Sequence, residues 1–267
     1  MIGDRASRGT ERLGSPASGV LVTGGGSGIG RATALALAEV GRPVAVWDLD
    51  GRAAEATAAA CTEQYGTAAL WERIDVTDSS VLFERVSVVA AELGSLGGFV
   101  HAAGVAGPME IDSIDDEMWN ATLDVNLRAG AMLAKAVIAP FTKAGPGSSA
   151  VLISSIEGLF GSSMLTAYCA SKAGVLGVTR AIAQRFGREG FRVNAVCPGA
   201  VDTPMLAPAF DLLPGFRERL EERTPLQRVS SPEEIARPIR FLLSDEASFI
   251  TGTHLTIDGG LTSITAI

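Results

Sequence analysis

The sequence predicts an α/β protein in which one parallel β-sheet of about seven strands carries helices on both faces. Two observations support this fold class. Short apolar runs typical of buried strands alternate along the chain with longer stretches of good helix formers. No break in composition and no linker divides the chain. Parallel neighbours need crossover helices, so this alternation indicates a single doubly wound domain.

The predicted elements follow one another in strict order. Each strand is a short apolar or β-branched run, and these runs cover residues 19–23, 43–47, 67–74, 98–102, 150–154, 192–197 and 254–258. The helices are longer stretches of helix formers that end near glycine or a turn, at residues 29–39, 51–64, 78–93, 115–143, 165–187 and 232–243.

Two segments lie outside this alternation of strands and helices. Residues 1–18 are small, polar and charged, so we expect a flexible N-terminal tail before the domain at 19–267. Residues 200–230 contain four prolines and several apolar side chains. This insertion is either a substrate lid or a mobile surface loop with one amphipathic helix, Phe216 to Glu222, and the pattern favours neither.

Composition excludes several classes of function. The net charge is −8 with no Lys/Arg-rich run, which argues against nucleic acid or an anionic membrane as a partner. Three cysteines indicate free thiols in a reducing compartment, and two separated histidines predict no metal site. No signal peptide and no apolar run of about 20 residues occurs. We therefore expect a cytoplasmic enzyme or binding protein.

A glycine-rich turn stands between the first strand and the first helix. It reads Thr23-Gly-Gly-Gly-Ser-Gly-Ile-Gly30, and it differs from the commoner GxGxxG pattern. Glycine permits a sharp turn and close backbone approach to a phosphate, and the following helix offers free N–H groups. By itself the turn only moderately favours nucleotide binding, because a tight turn also needs glycine.

Asp48 ends the second predicted strand, 18 residues after Gly30. A carboxylate there can accept hydrogen bonds from the adenosine ribose hydroxyls and repels a 2′-phosphate. A solvated Asp at a strand end is the alternative. No Lys or Arg occupies Ser27 or Leu49, so NAD is favoured over NADP, although Arg31 and Arg52 are near.

Tyr168 and Lys172 lie four residues apart in a predicted helix, which places them on one face. A nearby ammonium lowers the pKa of a phenol toward the working range of a general acid/base. A chance helix pair is the alternative, but the chain has only two tyrosines and three lysines. Ser155 ends the fifth strand, where ligands of such sheets bind, and Asn126 lies within a predicted helix.

Together these residues resemble the short-chain dehydrogenase/reductase family in its single-domain branch, a Rossmann-type fold. The resemblance covers residues 19–260 and depends on motifs in the family's order. They are TGGGSGIG (23–30), DV (75–76), AAG (102–104), Asn126, SS (154–155), YCASK (168–172), Asn194 and PG (198–199). The family's Asn after the fourth strand is absent, because the chain reads His101-Ala-Ala-Gly104 there. The resemblance therefore implies only backbone contacts at Ala102, and His101 is expected to be structural.

The resemblance implies a role for each matched residue. Tyr168 is the general acid/base, Lys172 lowers its pKa and binds the nicotinamide ribose, Ser155 orients the substrate oxygen, and Asn126 holds a water of the proton relay. The other cofactor-binding residues implied are Gly24, Ser27, Gly28, Ile29, Gly30, Asp48, Asp75, Val76, Ala102, Gly104, Pro198, Gly199, Val201 and Thr203.

The resulting prediction is an NAD-dependent dehydrogenase of hydrophobic secondary alcohols or ketones, such as terpenoids, steroids or alicyclic rings. By analogy with the fold the substrate site is mostly apolar, with Glu157 or Asp202 as a polar contact. A 3-oxoacyl-thioester reductase using NADPH is the alternative, and a non-catalytic dinucleotide sensor a further one. The resemblance also implies a homotetramer or dimer, in which helices 115–143 and 165–187 pack across a two-fold axis. The small residues that would permit close approach are Ala129, Gly130, Ala134, Gly174, Gly177 and Ala181. The alternative is that these residues pack within one subunit.

Overall fold

The computed structural model describes residues 17–263, so most of the predicted tail and the last four residues lie outside it. Within this range one sheet of seven parallel strands has the order β3-β2-β1-β4-β5-β6-β7. The strands β1 to β7 are Gly19–Thr23, Val44–Asp48, Ala69–Arg73, Leu96–His101, Ser149–Ile153, Arg192–Pro198 and His254–Ile257. The predicted doubly wound α/β class is confirmed, and the order reverses between β1 and β4, where such folds bind ligands.

Two apolar layers sandwich the sheet. Along β1, Leu21 faces one layer whereas Val20 and Val22 face the other, as the two-residue period of a strand requires. Trp47 and Phe99 extend the first layer and are fully buried. Helices on both faces supply the rest of the core, so the faces of the central strands are buried, whereas the edge strands β3 and β7 are partly exposed. The strand ends are where this fold can carry a site.

The helices α1 to α3 connect the first strands, and α7 and α10 cover the later ones. The bounds of α1 to α10 are Gly28–Ala38, Gly51–Tyr65, Ser79–Glu92, Asp116–Leu123, Ala129–Ala136, Ile138–Ala144, Thr166–Phe186, Ala207–Leu212, Phe216–Arg223 and Pro232–Leu242. The single helix predicted over 115–143 is therefore wrong in its continuity. A π-helical turn, Asp124–Arg128, separates α4 from α5. A new helix begins at Ile138, with Pro140, which lacks an N–H, in its first turn.

The segment 200–230 contains two helices, α8 and α9, where the sequence predicted only the second. The prolines misled the prediction, because Pro208 lies in the first turn of α8, where its missing N–H costs nothing. Neither helix buries a residue. A bridge between Val201 and Ser230 joins the two ends of the segment.

Two buried arginines stabilise the C-terminal end of α10. Arg42 donates from Nη1 to the Leu243 carbonyl at 3.0 Å, and Arg192 donates to the carbonyls of Leu242 and Ser244 at 2.7 and 2.9 Å. These guanidinium groups satisfy carbonyls that a helix end leaves free, and they complement its negative dipole. The composition did not reveal this role.

The small residues expected at a subunit interface divide into two groups. Ala129, Gly130 and Ala134 are buried within the subunit, so this part of the expectation is wrong. A Cβ on Gly130 would lie 2.8 Å from the His101 ring, which shows why glycine is needed there. The other group lies on α7, where Gly174 packs on Leu127 while Gly177 and Ala181 are exposed. No helix within residues 17–263 is long and apolar enough to cross a membrane.

Candidate active site

The glycine-rich turn closes tightly against the loop after β4. Gly24 has a φ of +64°, and a Cβ there would lie 2.5 Å from the Ala103 nitrogen. A Cβ on Gly30 would lie 2.0 Å from the Gly24 carbonyl oxygen. Glycine is thus required by packing at these positions as well as by conformation, and the turn leaves its backbone bare at the strand edge.

The start of α1 has the features of an anion site. Ser27 is the N-cap residue, yet its side chain makes no capping hydrogen bond, and the first turn contains no acidic residue. The first N–H groups of a helix have no intrahelical partner and carry the positive end of the helix dipole. With Gly28 and half-buried Ile29 beside it, this end could hold the pyrophosphate of a dinucleotide.

Asp48 lies directly over the glycine-rich turn. Its Oδ2 accepts a hydrogen bond from the Gly26 nitrogen at 2.8 Å, and Oδ1 accepts one from the Asp50 nitrogen at 2.9 Å. Each carboxylate oxygen keeps a lone pair for a further donor. The side chain is therefore held in place, half-buried, where it could accept hydrogen bonds from a ribose.

The loop after β4 brings the catalytic candidates together. A Cβ on Gly104 would lie 3.2 Å from Asn126 Oδ1 and 3.5 Å from Lys172 Nζ. Ala102 offers no polar side chain, but its nitrogen donates to the Thr23 carbonyl at 3.1 Å and ties the loop to β1. Two residues that are 46 positions apart in the sequence thus meet beside one glycine.

Asn126 lies fully buried in the π-helical turn. Its Oδ1 accepts from the Val105 nitrogen at 2.8 Å, and its Nδ2 donates to the Val105 carbonyl at 2.9 Å and to Ser171 Oγ at 3.0 Å. The alternative of a solvent-facing Asn is therefore wrong. In this arrangement the side chain fixes the loop after β4 to α7.

Lys172 is also buried, at 4% exposure. Its Nζ donates to the Ile153 carbonyl at 2.9 Å, and burial lowers the pKa of Lys172 to about 8. Ser154 Oγ donates to the Lys172 carbonyl at 2.7 Å, so the end of β5 is joined to α7 twice. This places the ammonium at the carboxyl edge of the sheet.

Tyr168 is half-buried one turn before Lys172, whose Nζ lies 5.5 Å from the phenol ring centroid. Burial raises the pKa of Tyr168 to about 12, the Ser155 hydroxyl partly opposes this effect, and the charge of Glu157 adds to it. The expected lowering of this pKa by Lys172 is thus not found in the protein alone. Desolvation has the largest effect on this pKa, and the Lys172 ammonium is directed to the Ile153 carbonyl.

The chain after β6 closes the other side of the glycine-rich turn. A Cβ on Gly28 would lie 3.2 Å from Thr203 Cγ2. Gly199, directly after Pro198, donates from its nitrogen to the Ile257 carbonyl at 3.0 Å, and Val201 is buried. The predicted nicotinamide-end residues therefore lie beside the predicted phosphate-binding residues.

Asp75 and Val76 follow β3 at the same edge of the sheet. Val76 is buried, and Asp75 is exposed with its Oδ1 accepting from the Thr77 nitrogen and hydroxyl at 2.9 and 2.7 Å. These bonds lower the pKa of Asp75. The carboxylate thus shapes its own turn, which leaves the backbone at this point as the part available to an adenine.

Sequence reasoning missed Ser171, whose hydroxyl accepts from Asn126 and donates to the Tyr168 carbonyl at 2.7 Å. The available signal was its position inside the YCASK motif, between Tyr168 and Lys172. Among residues 17–263, no group of three or more His, Cys, Asp or Glu side chains is placed to hold a metal ion.

Comparisons with known proteins agree with this geometry. The family model described as enoyl-(acyl carrier protein) reductase matches residues 24–262. The chain is 40% identical to cis-4-hydroxycyclohexanecarboxylate dehydrogenase of Sinomonas cyclohexanicum, over 91% of this chain and 96% of that protein. It is 36% identical to a 3-oxoacyl-[acyl-carrier-protein] reductase of Chlamydia trachomatis serovar D, over 90% of this chain and 96% of that protein.

A solved structure is also similar to this chain over almost its whole length. The crystal structure of levodione reductase superposes with a TM-score of 0.88 at 32% identity, and the match covers 94% of this chain and all of that one. The predicted family and enzyme class are therefore confirmed. The chain belongs to the short-chain dehydrogenase/reductase family, whose members use NAD or NADP and act on alcohol groups.

Proposed function

We propose that the protein is an NAD-dependent dehydrogenase of hydrophobic secondary alcohols, and of the corresponding ketones, with an alicyclic ring as the favoured substrate class. The observation that carries the proposal is the convergence of Asn126, Ser155, Tyr168 and Lys172 beside the glycine-rich turn. The relative named for a hydroxycyclohexanecarboxylate supports a ring substrate. Terpenoid and steroid rings belong to the same class of apolar secondary alcohols.

The chain's own residues would handle the proton and the orientation of the substrate. Tyr168 would take the hydroxyl proton of an alcohol or return it to a ketone, while Ser155 holds the same substrate oxygen. Lys172, anchored between β5 and α7, would carry positive charge close to the phenol. Asn126 would hold the loop after β4 in place. A bound nicotinamide dinucleotide would supply the hydride acceptor or donor.

The choice of NAD rests on Asp48. Its carboxylate is fixed over Gly26 by two backbone N–H groups, so it is rigid and negatively charged where the ribose of the adenosine would lie. A 2′-phosphate at this place would meet like charge. Arg52 and Arg73 line the same cleft, but Arg73 Nε already donates to the Leu49 carbonyl at 3.1 Å.

The second candidate is a 3-oxoacyl-thioester reductase using NADPH. The family description and the Chlamydia relative favour it. The net charge of −8 and Asp48 oppose it, because an acidic carrier protein and a 2′-phosphate both prefer a basic surface. A non-catalytic dinucleotide sensor is disfavoured by the complete set of polar side chains around Tyr168.

One experiment separates these candidates. Purified protein is assayed at 340 nm with cyclohexanol, larger alicyclic and steroid alcohols, and a 3-oxoacyl thioester, each with NAD(H) and with NADP(H). We expect turnover of alicyclic alcohols with NAD. Turnover of the thioester alone with NADPH would favour the second candidate, and dinucleotide binding without any hydride transfer would favour the sensor.

We further propose that the protein is a homodimer or homotetramer. The exposed α7 positions Gly177 and Ala181 would permit close approach of a second copy, and Phe249 and Leu255 are exposed at the β7 edge. Light scattering during size-exclusion chromatography measures the mass directly. A monomer at micromolar concentration would contradict the proposal.

A further inference from the structure

Glu157 lies two residues after Ser155 in the chain, close to the catalytic candidates. It lies in the short 3₁₀ turn Ile156–Gly158, and its nitrogen donates to Ser155 Oγ at 3.1 Å. The turn packs directly on α7, because a Cβ on Gly158 would lie 2.7 Å from the Lys172 carbonyl carbon. The backbone of Glu157 is therefore held in a fixed position relative to both Ser155 and Lys172.

The carboxylate of Glu157 has no cationic partner among residues 17–263. The one side-chain hydrogen bond that its carboxylate accepts within the described residues comes from the thiol of Cys169, with Sγ 3.8 Å from Oε2, and the side chain is half-buried. Burial raises the pKa of Glu157, and its negative charge raises the pKa of Tyr168. A partly desolvated carboxylate with so weak a partner gains most from a strong hydrogen-bond donor.

The neighbouring residues show where such a donor could come from. The Glu157 nitrogen bonds to Ser155 Oγ, and the negative charge of Glu157 acts on Tyr168, so the carboxylate lies in the neighbourhood of both groups that would hold the reacting oxygen. Leu159 and exposed Phe160 follow it and supply apolar surface. A substrate whose carbinol lies at Tyr168 would thus meet an apolar surface with one hydrogen-bond acceptor, the Glu157 carboxylate, beside it.

We propose that Glu157 is a specificity residue that accepts a hydrogen bond from a second hydroxyl group of the substrate. The preferred substrates are then ring diols or hydroxyketones, not simple alcohols or hydroxy acids. A substrate carboxylate at the same place meets like charge and binds poorly. This inference rests on the proposed function and names the substrate class of that site.

The test compares three alcohols of one ring size. Cyclohexanol, the isomeric cyclohexanediols and 4-hydroxycyclohexanecarboxylate are oxidised with NAD by wild type and by Glu157→Gln. In wild type we expect kcat/KM for at least one diol to exceed that for cyclohexanol by about tenfold or more, the range of a hydrogen bond to a charged group. The hydroxy acid should be the poorest of the three.

Glu157→Gln removes the charge and keeps the shape. The variant should lose about tenfold in kcat/KM for the diol, chiefly through KM, and change less than about threefold for cyclohexanol, while the hydroxy acid improves. Glu63→Gln, which removes an exposed carboxylate near the C-terminal end of α2, is the matched control and should leave all three values unchanged. Thermal unfolding of each variant checks the fold.

Two results would overturn the inference. One is a diol no better than cyclohexanol in wild type. The other is an equal loss on cyclohexanol and diol in Glu157→Gln, which would mean that Glu157 acts through Tyr168 or through the fold. Both leave the dehydrogenase proposal standing, because cyclohexanol is still oxidised. If no alcohol is turned over, both the proposed function and this inference are contradicted.

Discussion

His101 Nε2 lies 3.1 Å from the carbonyl oxygen of Val125, so the end of β4 is bonded directly to the π-helical turn. The other ring nitrogen, Nδ1, lies 2.9 Å from Thr23 Oγ1 on β1. A carbonyl can only accept, so Nε2 carries the proton and Nδ1 accepts from the threonine hydroxyl. His101 thereby joins two strands to the turn that holds Asn126.

This arrangement explains the departure from the family pattern after β4. His101 is 2% exposed and both ring nitrogens have partners, which agrees with a structural role. The ring fills the space beside Gly130, where a Cβ would lie 2.8 Å away. The side chains of His101 and Asn126 together thus make the hydrogen bonds that join the end of β4 and the following loop to the helices. A side chain at position 102 is not needed for this.

We expect His101 to make the protein sensitive to mild acid. Burial lowers the pKa of His101 to about 4, so the folded protein keeps it neutral while the unfolded chain, with a pKa of 6.5, takes up a proton. Between pH 6.5 and 4 the unfolded state therefore binds more protons, and stability falls as pH falls, by about 1.4 kcal/mol per pH unit for one proton. Urea unfolding at several pH values measures this slope.

The variant His101→Gln separates the contribution of His101 to the acid sensitivity from that of other groups. It should be less stable than wild type at pH 7, because two buried hydrogen bonds change, yet its stability should fall less steeply between pH 6.5 and 4.5. Equal slopes for the two proteins would show that His101 does not carry the acid sensitivity.

Tyr168→Phe should abolish most turnover while leaving dinucleotide binding intact. Loss of a general acid/base costs about 10²- to 10⁴-fold in kcat. Dinucleotide affinity, followed by protein fluorescence, should change less than about threefold. The chain's other tyrosine, exposed Tyr65 on α2, provides the control Tyr65→Phe, which should retain full activity. Full activity of Tyr168→Phe would end the proposed mechanism.

The pH dependence of alcohol oxidation should follow the raised pKa of Tyr168. A phenol with a pKa of about 12 is protonated at pH 7, and its phenolate fraction rises up to tenfold per pH unit. We therefore expect kcat/KM for oxidation to rise from pH 7 to about 8 without a plateau, and to rise less steeply above that, because Lys172, with a pKa of about 8, loses its charge there. A plateau below pH 7.5 would mean that the phenol ionises far more easily than its burial implies.

Asp48 should determine the dinucleotide preference. Asp48→Asn keeps the shape and removes the charge, and Asp48→Ala removes both, so each should lower the NAD/NADP ratio of kcat/KM, by about tenfold or more. Glu55→Gln removes an exposed charge from the same cleft and should change the ratio less than about threefold. An unchanged ratio in both Asp48 variants would refute the ribose role.

Two glycine substitutions should have opposite effects on stability. A Cβ at Gly30 would meet the Gly24 carbonyl oxygen at 2.0 Å, so Gly30→Ala must displace the turn, at a cost of about 1 to 3 kcal/mol, and weaken dinucleotide binding. Gly187, at the end of α7, has right-handed helical dihedral angles and no atom within 4 Å of its Cβ position, so Gly187→Ala should add up to about 1 kcal/mol. Thermal unfolding and dinucleotide titration measure both. A fully stable Gly30→Ala that binds dinucleotide normally would contradict this account of the turn.

The alternation of apolar runs predicted every strand to within two residues at each end, because a buried parallel strand is a local pattern. The same reasoning failed over 115–143. Nothing local marks the π-helical turn at Asp124–Arg128, which inserts one extra residue so that Asn126 reaches Val105 and Ser171. Prolines in 200–230 likewise predicted irregular chain, whereas Pro208 lies in the first turn of a helix.

Four features could be predicted from the amino-acid sequence alone. They are the doubly wound sheet, the glycine-rich turn, the position of Asp48 at a strand end, and the pairing of Tyr168 with Lys172 on one helix face. These features depend on periodicity and short spacing. The folded structure was needed to show that Asn126 is buried, that Ala129, Gly130 and Ala134 face inward, and that burial raises the pKa of Tyr168 where Lys172 was expected to lower it. Burial and desolvation depend on segments distant in sequence, so no local pattern contains them.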